Sequence, residues 1–239
     1  MNVAVVGTGN VGSALLIHLA DVEDIDQVLV MDLEPGWSQA AVMDVASANP
    51  SGAGRCQVAS YSELDRADVI LLTSGAQMGE HETGQDVQQK NINITNTILD
   101  RVKLQHDAII IALATPVDAI TAHIQKRYDR PENEVMGFGG DLDRNRLIYT
   151  LRQRGYDAEH AGVVGEHGAR AIPYYPSETS YDDVAQEVHT FLKDITAQGG
   201  RPRNLATGLL LAQLIDDLIH DRGRVHYVCG HHPDYDRYL

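Results

Sequence analysis

The apolar positions of the first half of the chain fall in short runs at residues 3–6, 28–31, 69–72 and 109–112, each aliphatic and of the length of a buried strand. Between these runs, residues 11–20, 37–48, 87–103 and 117–128 are helix-like segments. Strand and helix in alternation predict an α/β fold with a Rossmann-type, doubly wound parallel sheet, since a parallel strand pair needs a crossover and a helix supplies it. A further short strand near 135–137 leads into a polar, Arg/Asp-rich stretch, 141–154, where Leu147, Ile148 and Leu151 recur at helical spacing. A change of domain is expected there. Beyond it, 161–165 and 171–175 read as strands, 181–195 and 205–220 as helices with apolar stripes, and Gly199-Gly200-Arg201-Pro202 as the turn between those helices. Residues 226–239, rich in His, Tyr and Asp, carry no clear period. The pattern therefore predicts a larger unit, 1–140, and a smaller α+β unit, 141–239. No Gly/Ser/Pro linker separates them, so they should pack together and share a cleft.

The first chemistry-bearing motif is Gly7-Thr8-Gly9-Asn10-Val11-Gly12, which leaves the first strand and opens the first helix. In that setting the first glycine permits a tight turn, the second lets backbone approach a pyrophosphate, and the third lets helix and strand pack closely. Asp32 closes the next strand, where a carboxylate accepts hydrogen bonds from a ribose diol and repels a 2′-phosphate. The larger unit is thus expected to bind a dinucleotide, NAD rather than NADP, through Gly7, Gly9, Asn10, Val11, Gly12 and Asp32. The same glycines also suit a purely structural strand-to-helix turn, with Asp32 as a strand-end cap. The ordered set of strand, motif, helix, strand and acid favours the dinucleotide.

Six further blocks occur in order: Met43-Asp44, the strand running from Ala67 into Ser74-Gly75-Ala76, Lys90-Asn91, Thr115-Pro116-Val117-Asp118, Leu142-Asp143-Arg144-Asn145-Arg146 and Gly165-Glu166-His167-Gly168. Together they resemble the NAD-dependent lactate/malate dehydrogenase family over most of the chain. The resemblance implies hydride transfer between nicotinamide and a small 2-oxo or 2-hydroxy acid, with a 2-imino acid as a variant. It implies that His167 is the proton donor and acceptor, Asp143 its partner carboxylate, and Arg146 the guanidinium that grips the substrate carboxylate. Such roles agree with their chemistry: imidazole titrates near neutrality, a carboxylate orients it, and a planar guanidinium pairs with a carboxylate through two bonds. Ser74, Gly75, Ala76 and Asn91 are implied as further cofactor contacts, and Thr115 as a substrate contact. Arg203 and Arg170 fall near positions that line the family's cleft and offer a second anionic contact. A homo-oligomer is also implied. Taken singly, a histidine between glycines or an Arg/Asp cluster suits a solvated surface; their joint order favours the site.

The pattern is also broken. The family's loop after the fourth strand carries an arginine that polarises the reacting carbonyl, whereas residues 77–85 contain none and the matching position is Gly84. Thr115 stands where the family has asparagine, and the family's last strands and terminal helix are expected to be missing. A cofactor-binding relative with weakened catalysis and a sensing or assembly role is the alternative these departures motivate. Composition narrows the partners. A net charge of -15 repels nucleic acid and anionic membrane surfaces, so small molecules are the expected ligands. Cys56 and Cys229 form no disulfide framework or metal-ligand spacing, His231-His232 lacks a nearby third ligand, and no metal is expected. A reducing cytoplasm fits this cysteine usage, and the apolar residues 3–6, with no basic flank, read as a strand rather than a signal.

Overall fold

The computed structural model describes residues 1–79, 81–102, 104, 107–175, 181–199, 204–234 and 237–239. β1 (Asn2–Val6), α1 (Asn10–Leu19), β2 (Gln27–Met31), α2 (Pro35–Ala48), β3 (Cys56–Val58), β4 (Val69–Leu72), α3 (Gly84–Leu99), β5 (Ile109–Ala112), α4 (Val117–Arg127) and β6 (Val135–Phe138) come first. They are followed by α5 (Gly140–Gln153), β7 (Gly162–Val164), β8 (Ile172–Tyr174), α6 (Tyr181–Gly199), α7 (Leu205–His220), β9 (Val228–Cys229), β10 (His231–His232) and β11 (Arg237–Tyr238).

The main sheet runs in the order β3-β2-β1-β4-β5-β6-β9. The first six strands are parallel, and β9 adds antiparallel to β6. The central strands β4 and β5 are apolar throughout, and β1 and β2 are apolar after their first residue, because both faces of the sheet are buried there. Val3 and Val5 face Leu15, Leu16, Leu211 and Ile215 of α1 and α7, while Ala4 and Val6 face Ile98, Leu99, Ile120 and Ile124 of α3 and α4. β1 pairs with β2 on one side and β4 on the other, so the winding reverses between β1 and β4 and a crevice opens at their carboxyl ends.

The smaller unit has its own core, where Leu147 and Leu151 of α5 meet Val163, Val184 and Val188, and its strands β7 and β8 form an antiparallel pair. Yet α7 and β9, which sequence reading places in that unit, pack with the first one. A Cβ on Gly208 of α7 would lie 2.6 Å from the Ala14 carbonyl carbon and 2.7 Å from its oxygen, so the two helix backbones touch there. His226, between α7 and β9, completes the seam: Nδ1 meets Asp141 of α5 at 2.7 Å and Nε2 meets Asp217 of α7 at 2.5 Å. Burial works against its protonation, but the two carboxylates prevail and raise its pKa above the usual histidine value.

Residues 200–202 of the expected interhelical turn lie outside the described residues. α3 starts three residues before the periodicity suggests, because Thr83 and Asp86 form a reciprocal capping box: the Thr83 N–H donates to Asp86 Oδ2 at 2.9 Å and the Asp86 N–H to Thr83 Oγ1 at 3.3 Å. No helix among the described residues is long and apolar enough to cross a membrane.

Candidate active site

The crevice begins at the glycine loop. Gly7 has φ +108°, a conformation that disfavours side chains, and a Cβ there would come within 2.6 Å of the Ser74 backbone nitrogen. At Gly12 a Cβ would lie 2.0 Å from the Gly7 carbonyl oxygen, so α1 can pack this close to β1 only without a side chain. Gly9, the N-cap, is different: its Cβ would meet nothing within 4 Å. Its backbone therefore faces open space at the head of a helix whose first N–H groups lack a side-chain cap, beside Asn10 and Val11.

Asp32 stands next to this loop. Its Oδ2 accepts the Thr8 N–H at 2.6 Å and the Thr8 hydroxyl at 2.8 Å, and its Oδ1 accepts the Glu34 N–H at 3.1 Å. Ser74 follows β4 and lies against Gly7; its N–H donates to the Val6 carbonyl at 2.8 Å, and its buried Oγ has no hydrogen-bond partner among the described residues. An open glycine backbone, a fixed carboxylate and an unpartnered buried hydroxyl are what a bound dinucleotide would use, and these residues fit one.

Asn91, expected as a cofactor contact, lies beneath the loops of the crevice. It is 1% exposed, and both ends of its amide are spent on backbone. Oδ1 accepts the Ala76 N–H at 2.7 Å and Nδ2 donates to the Thr115 carbonyl at 2.7 Å. Asn91 thus ties the segment Ser74-Gly75-Ala76 to the turn after β5. Thr115 is exposed and precedes Pro116 through a cis peptide bond.

The catalytic candidates meet between α5 and the loop that joins β7 to β8. Asp143, one turn into α5 and 2% exposed, accepts His167 Nδ1 at 2.7 Å and the Gly168 N–H at 3.0 Å on Oδ2, and Arg146 Nη1 at 3.0 Å on Oδ1. Burial by itself would raise the Asp143 pKa; the His167 hydrogen bond and charge, the Gly168 N–H and Arg146 outweigh it and hold the carboxyl below its ordinary value. An ionised carboxylate only accepts, so His167 carries its proton on Nδ1 and leaves Nε2 for exchange. Arg146 lies on the same face one turn further along α5, and its remaining guanidinium N–H groups have no partner among the described residues.

Two groups that sequence reading gave no role complete this arrangement. Asp118 of α4 accepts the His167 backbone N–H at 3.2 Å, so His167 is held from α4 as well as from α5. Gly139 lets the imidazole rest on bare backbone, since a Cβ there would lie 2.4 Å from the ring Cγ. The pair Gly139-Gly140 after Phe138, at the strand-to-helix junction, was the available signal. Cys229 is buried nearby, and desolvation first, then Asp118, pushes its thiol far up and leaves it inert.

Gly84 does not lie in a loop. It is the first residue of α3, and a Cβ there would meet open space. Lys90 of the same helix is paired with Glu82. Arg170 pairs with Glu166 at 2.8 Å, while Arg203 lies outside the described residues.

Residues 1–137 match the family model described as lactate/malate dehydrogenase, NAD binding domain. L-lactate dehydrogenase A of Rhizopus oryzae is 33% identical over a match covering 70% of this chain and 53% of that protein, so the chain spans about half of that relative's length. Malate dehydrogenase of Caldivirga maquilingensis is 27% identical, with 93% of this chain and 79% of that protein covered. Among solved structures, malate dehydrogenase from Archaeoglobus fulgidus in complex with NADH superposes with a TM-score of 0.80 at 23% identity, covering 96% of this chain and 81% of that one.

Proposed function

The chain belongs to the lactate/malate dehydrogenase family, and its first 137 residues are the NAD-binding domain of that family; from this premise we propose that it interconverts a small 2-oxo acid and the corresponding 2-hydroxy acid. The observation that carries the proposal is the Asp143–His167 pair at 2.7 Å with Arg146 on the same carboxylate. Bound NAD supplies the hydride acceptor in one direction and the donor in the other. As hydride reaches C2 of the oxo acid, the C=O π pair moves to oxygen and His167 Nε2 delivers the proton that completes the hydroxyl. The reverse reaction returns that proton to Nε2. Asp143 holds the ring and stabilises its protonated form, and Arg146 pairs with the carboxylate beside the reacting carbon. The smaller unit supplies these groups, and the glycine loop with Asp32, Ser74 and the Asn91-tied loop presents the cofactor to them.

A panel of 2-oxo acids with NADH, followed at the nicotinamide absorbance with and without ammonia, tests the reading. Turnover of any member supports it; none across the panel, with NADH still bound, favours a cofactor-binding relative. Asp32→Ser is expected to weaken NAD(H) binding by about ten- to a hundredfold, because hydrogen bonds to a charged acceptor contribute about 1.5–3 kcal/mol. NADP(H) binding should change less or improve, and equal affinities for the two cofactors in the unmutated protein, by calorimetry, would refute the role.

The absence of an arginine in residues 77–85 favours a second reading of the substrate. Negative charge develops on a neutral carbonyl as it accepts hydride, whereas a protonated imine already carries the charge that an arginine would otherwise supply. Gly84→Arg, with open space at that Cβ, is expected to raise turnover of simple 2-oxo acids by up to about 10²-fold and to depress that of a cyclic imine. Robust pyruvate or oxaloacetate reduction by the unmutated protein would remove the reason for the substitution.

A further inference from the structure

We propose that His226 is a positioning residue for the proton-transfer pair: as an imidazolium held between Asp141 and Asp217, it fixes the head of α5 against α7, and with it Asp143 and the Gly139 backbone under His167; its effect on turnover rests on the dehydrogenase reading of that pair.

The head of α5 has no side-chain cap, and segment 226–227 takes that place. The Asp141 N–H donates to the Tyr227 carbonyl at 3.0 Å, and the Tyr227 N–H returns a bond to Asp141 Oδ1 at 2.7 Å. A Cβ on Gly140 would lie 2.6 Å from that same carbonyl oxygen, so helix head and segment touch through backbone. His226 Nδ1 meets Asp141 Oδ2, and Nε2 reaches across to Asp217 Oδ2 on α7. The groups that hold His167 from this side adjoin the joint. Gly139 directly precedes α5 under the imidazole, and Asp143 follows Asp141 in the same first turn.

An ionised carboxylate accepts hydrogen bonds and cannot donate them, so a ring that meets one at each nitrogen carries both protons. Burial opposes that charge, and the two carboxylates overcome it. The charged groups around the ring are Asp141 from α5, Asp217 with Asp216 beside it from α7, and Arg224 and Arg222 from the segment between α7 and β9. Arg224 bonds both Asp217 and Asp216, and Arg222 takes Asp216. Asp141, His226, Asp217 and Arg224 thus alternate in sign. Removing one ring proton breaks this order, because a nitrogen then turns its lone pair toward a carboxylate and the contact becomes repulsive. Since the folded-state pKa is raised, the joint is complete below the ordinary histidine value and opens as pH rises through the folded one.

Proton NMR of the histidine rings across pH, on the NADH-loaded protein, tests this without turnover. The His226 and His167 signals are assigned by their loss in His226→Gln and His167→Gln. His226 is expected to titrate above the ordinary histidine value, and the His167 signal to shift a second time at that same pH. Both His226→Gln and His226→Asn should abolish the second shift, because each amide carries no charge to lose. His220 offers the comparison: it too meets two carboxylates, Asp216 at 2.9 Å and Asp24 at 3.1 Å, but ties α7 to Asp24 rather than to α5. His220→Gln should therefore keep the second shift of His167 even if Tm falls. Where 2-oxo acids are reduced, His226→Gln should lower kcat by up to about 10²-fold, the effect of misplacing a reacting group by an ångström. A His226 signal that titrates at or below the ordinary value overturns the proposal, as does a native His167 signal that ignores the His226 midpoint. A second shift that survives both His226 substitutions, or that His220→Gln also removes, has the same effect. Coupled signals in a protein that reduces no 2-oxo acid would leave the joint standing and remove the dehydrogenase reading, while turnover without coupling would do the reverse.

Discussion

Replacing His167 by glutamine is expected to lower kcat for the accepted 2-oxo acid by about 10²- to 10⁴-fold, the range that a positioned general acid contributes. Glutamine fills similar space but cannot deliver a proton at neutral pH. The cofactor site is built from the glycine loop, Asp32 and the Ser74 segment, none of which touches His167, so NADH affinity should stay within about twofold, a change worth only ~0.4 kcal/mol. Unchanged kcat in His167→Gln would remove the imidazole from the mechanism. Asp143→Asn should also slow turnover, because an amide NH₂ turned toward Nδ1 would favour the other tautomer and spoil Nε2 as donor. It has a second signature. The folded-state pKa of Asp143 is depressed, so its stabilising effect is present above the unfolded carboxyl pKa and is lost as pH falls through the folded one. Acid unfolding of the asparagine variant should accordingly be less steep in that range, as read by Tm against pH.

Gly208→Val is the substitution expected to cost the most stability. Its Cβ would enter the Ala14 backbone at 2.6 Å from the carbonyl carbon, where the obstacle is helix backbone rather than the end of a movable side chain. Forcing α1 and α7 apart opens the seam of Leu15, Leu16, Leu211 and Ile215. Overpacking of this kind costs about 1–3 kcal/mol, or roughly 3–10 °C in Tm for a chain of this size. Since α1 also carries Gly12 against Gly7, the variant should bind NADH more weakly. Leu209→Ala, next to it but 43% exposed, is the control and should shift Tm far less. Equal melting of the Gly208→Val and native proteins, by calorimetry, would refute the close approach of the two helices.

The sequence by itself determined the strands and helices whose cause is local or periodic. Residues 3–6, 28–31, 69–72 and 109–112 are legible as strands because both faces of the sheet are buried, so their side chains are apolar without interruption. The glycine loop and Asp32 are equally legible, since the turn, the close packing of Gly12 and the ribose contact each demand one residue type in one order. His167, Asp143 and Arg146 are named by motif, and the fold brings all three together. Only the tertiary structure decided what depends on distant partners. β9, β10 and β11 are two residues each, too short to show a period, and exist because β6 and each other offer free edges. The assignment of α7 to α1 rests on one glycine meeting a backbone far away in the chain. Asn91 reads as a ligand contact in sequence and becomes a buried tie in space, because burial obliges its amide to satisfy the backbone of two loops. Asp118 shows the same limit: a carboxylate has no signature of its own on a charged chain, and its role arises from the group that folding sets beside it.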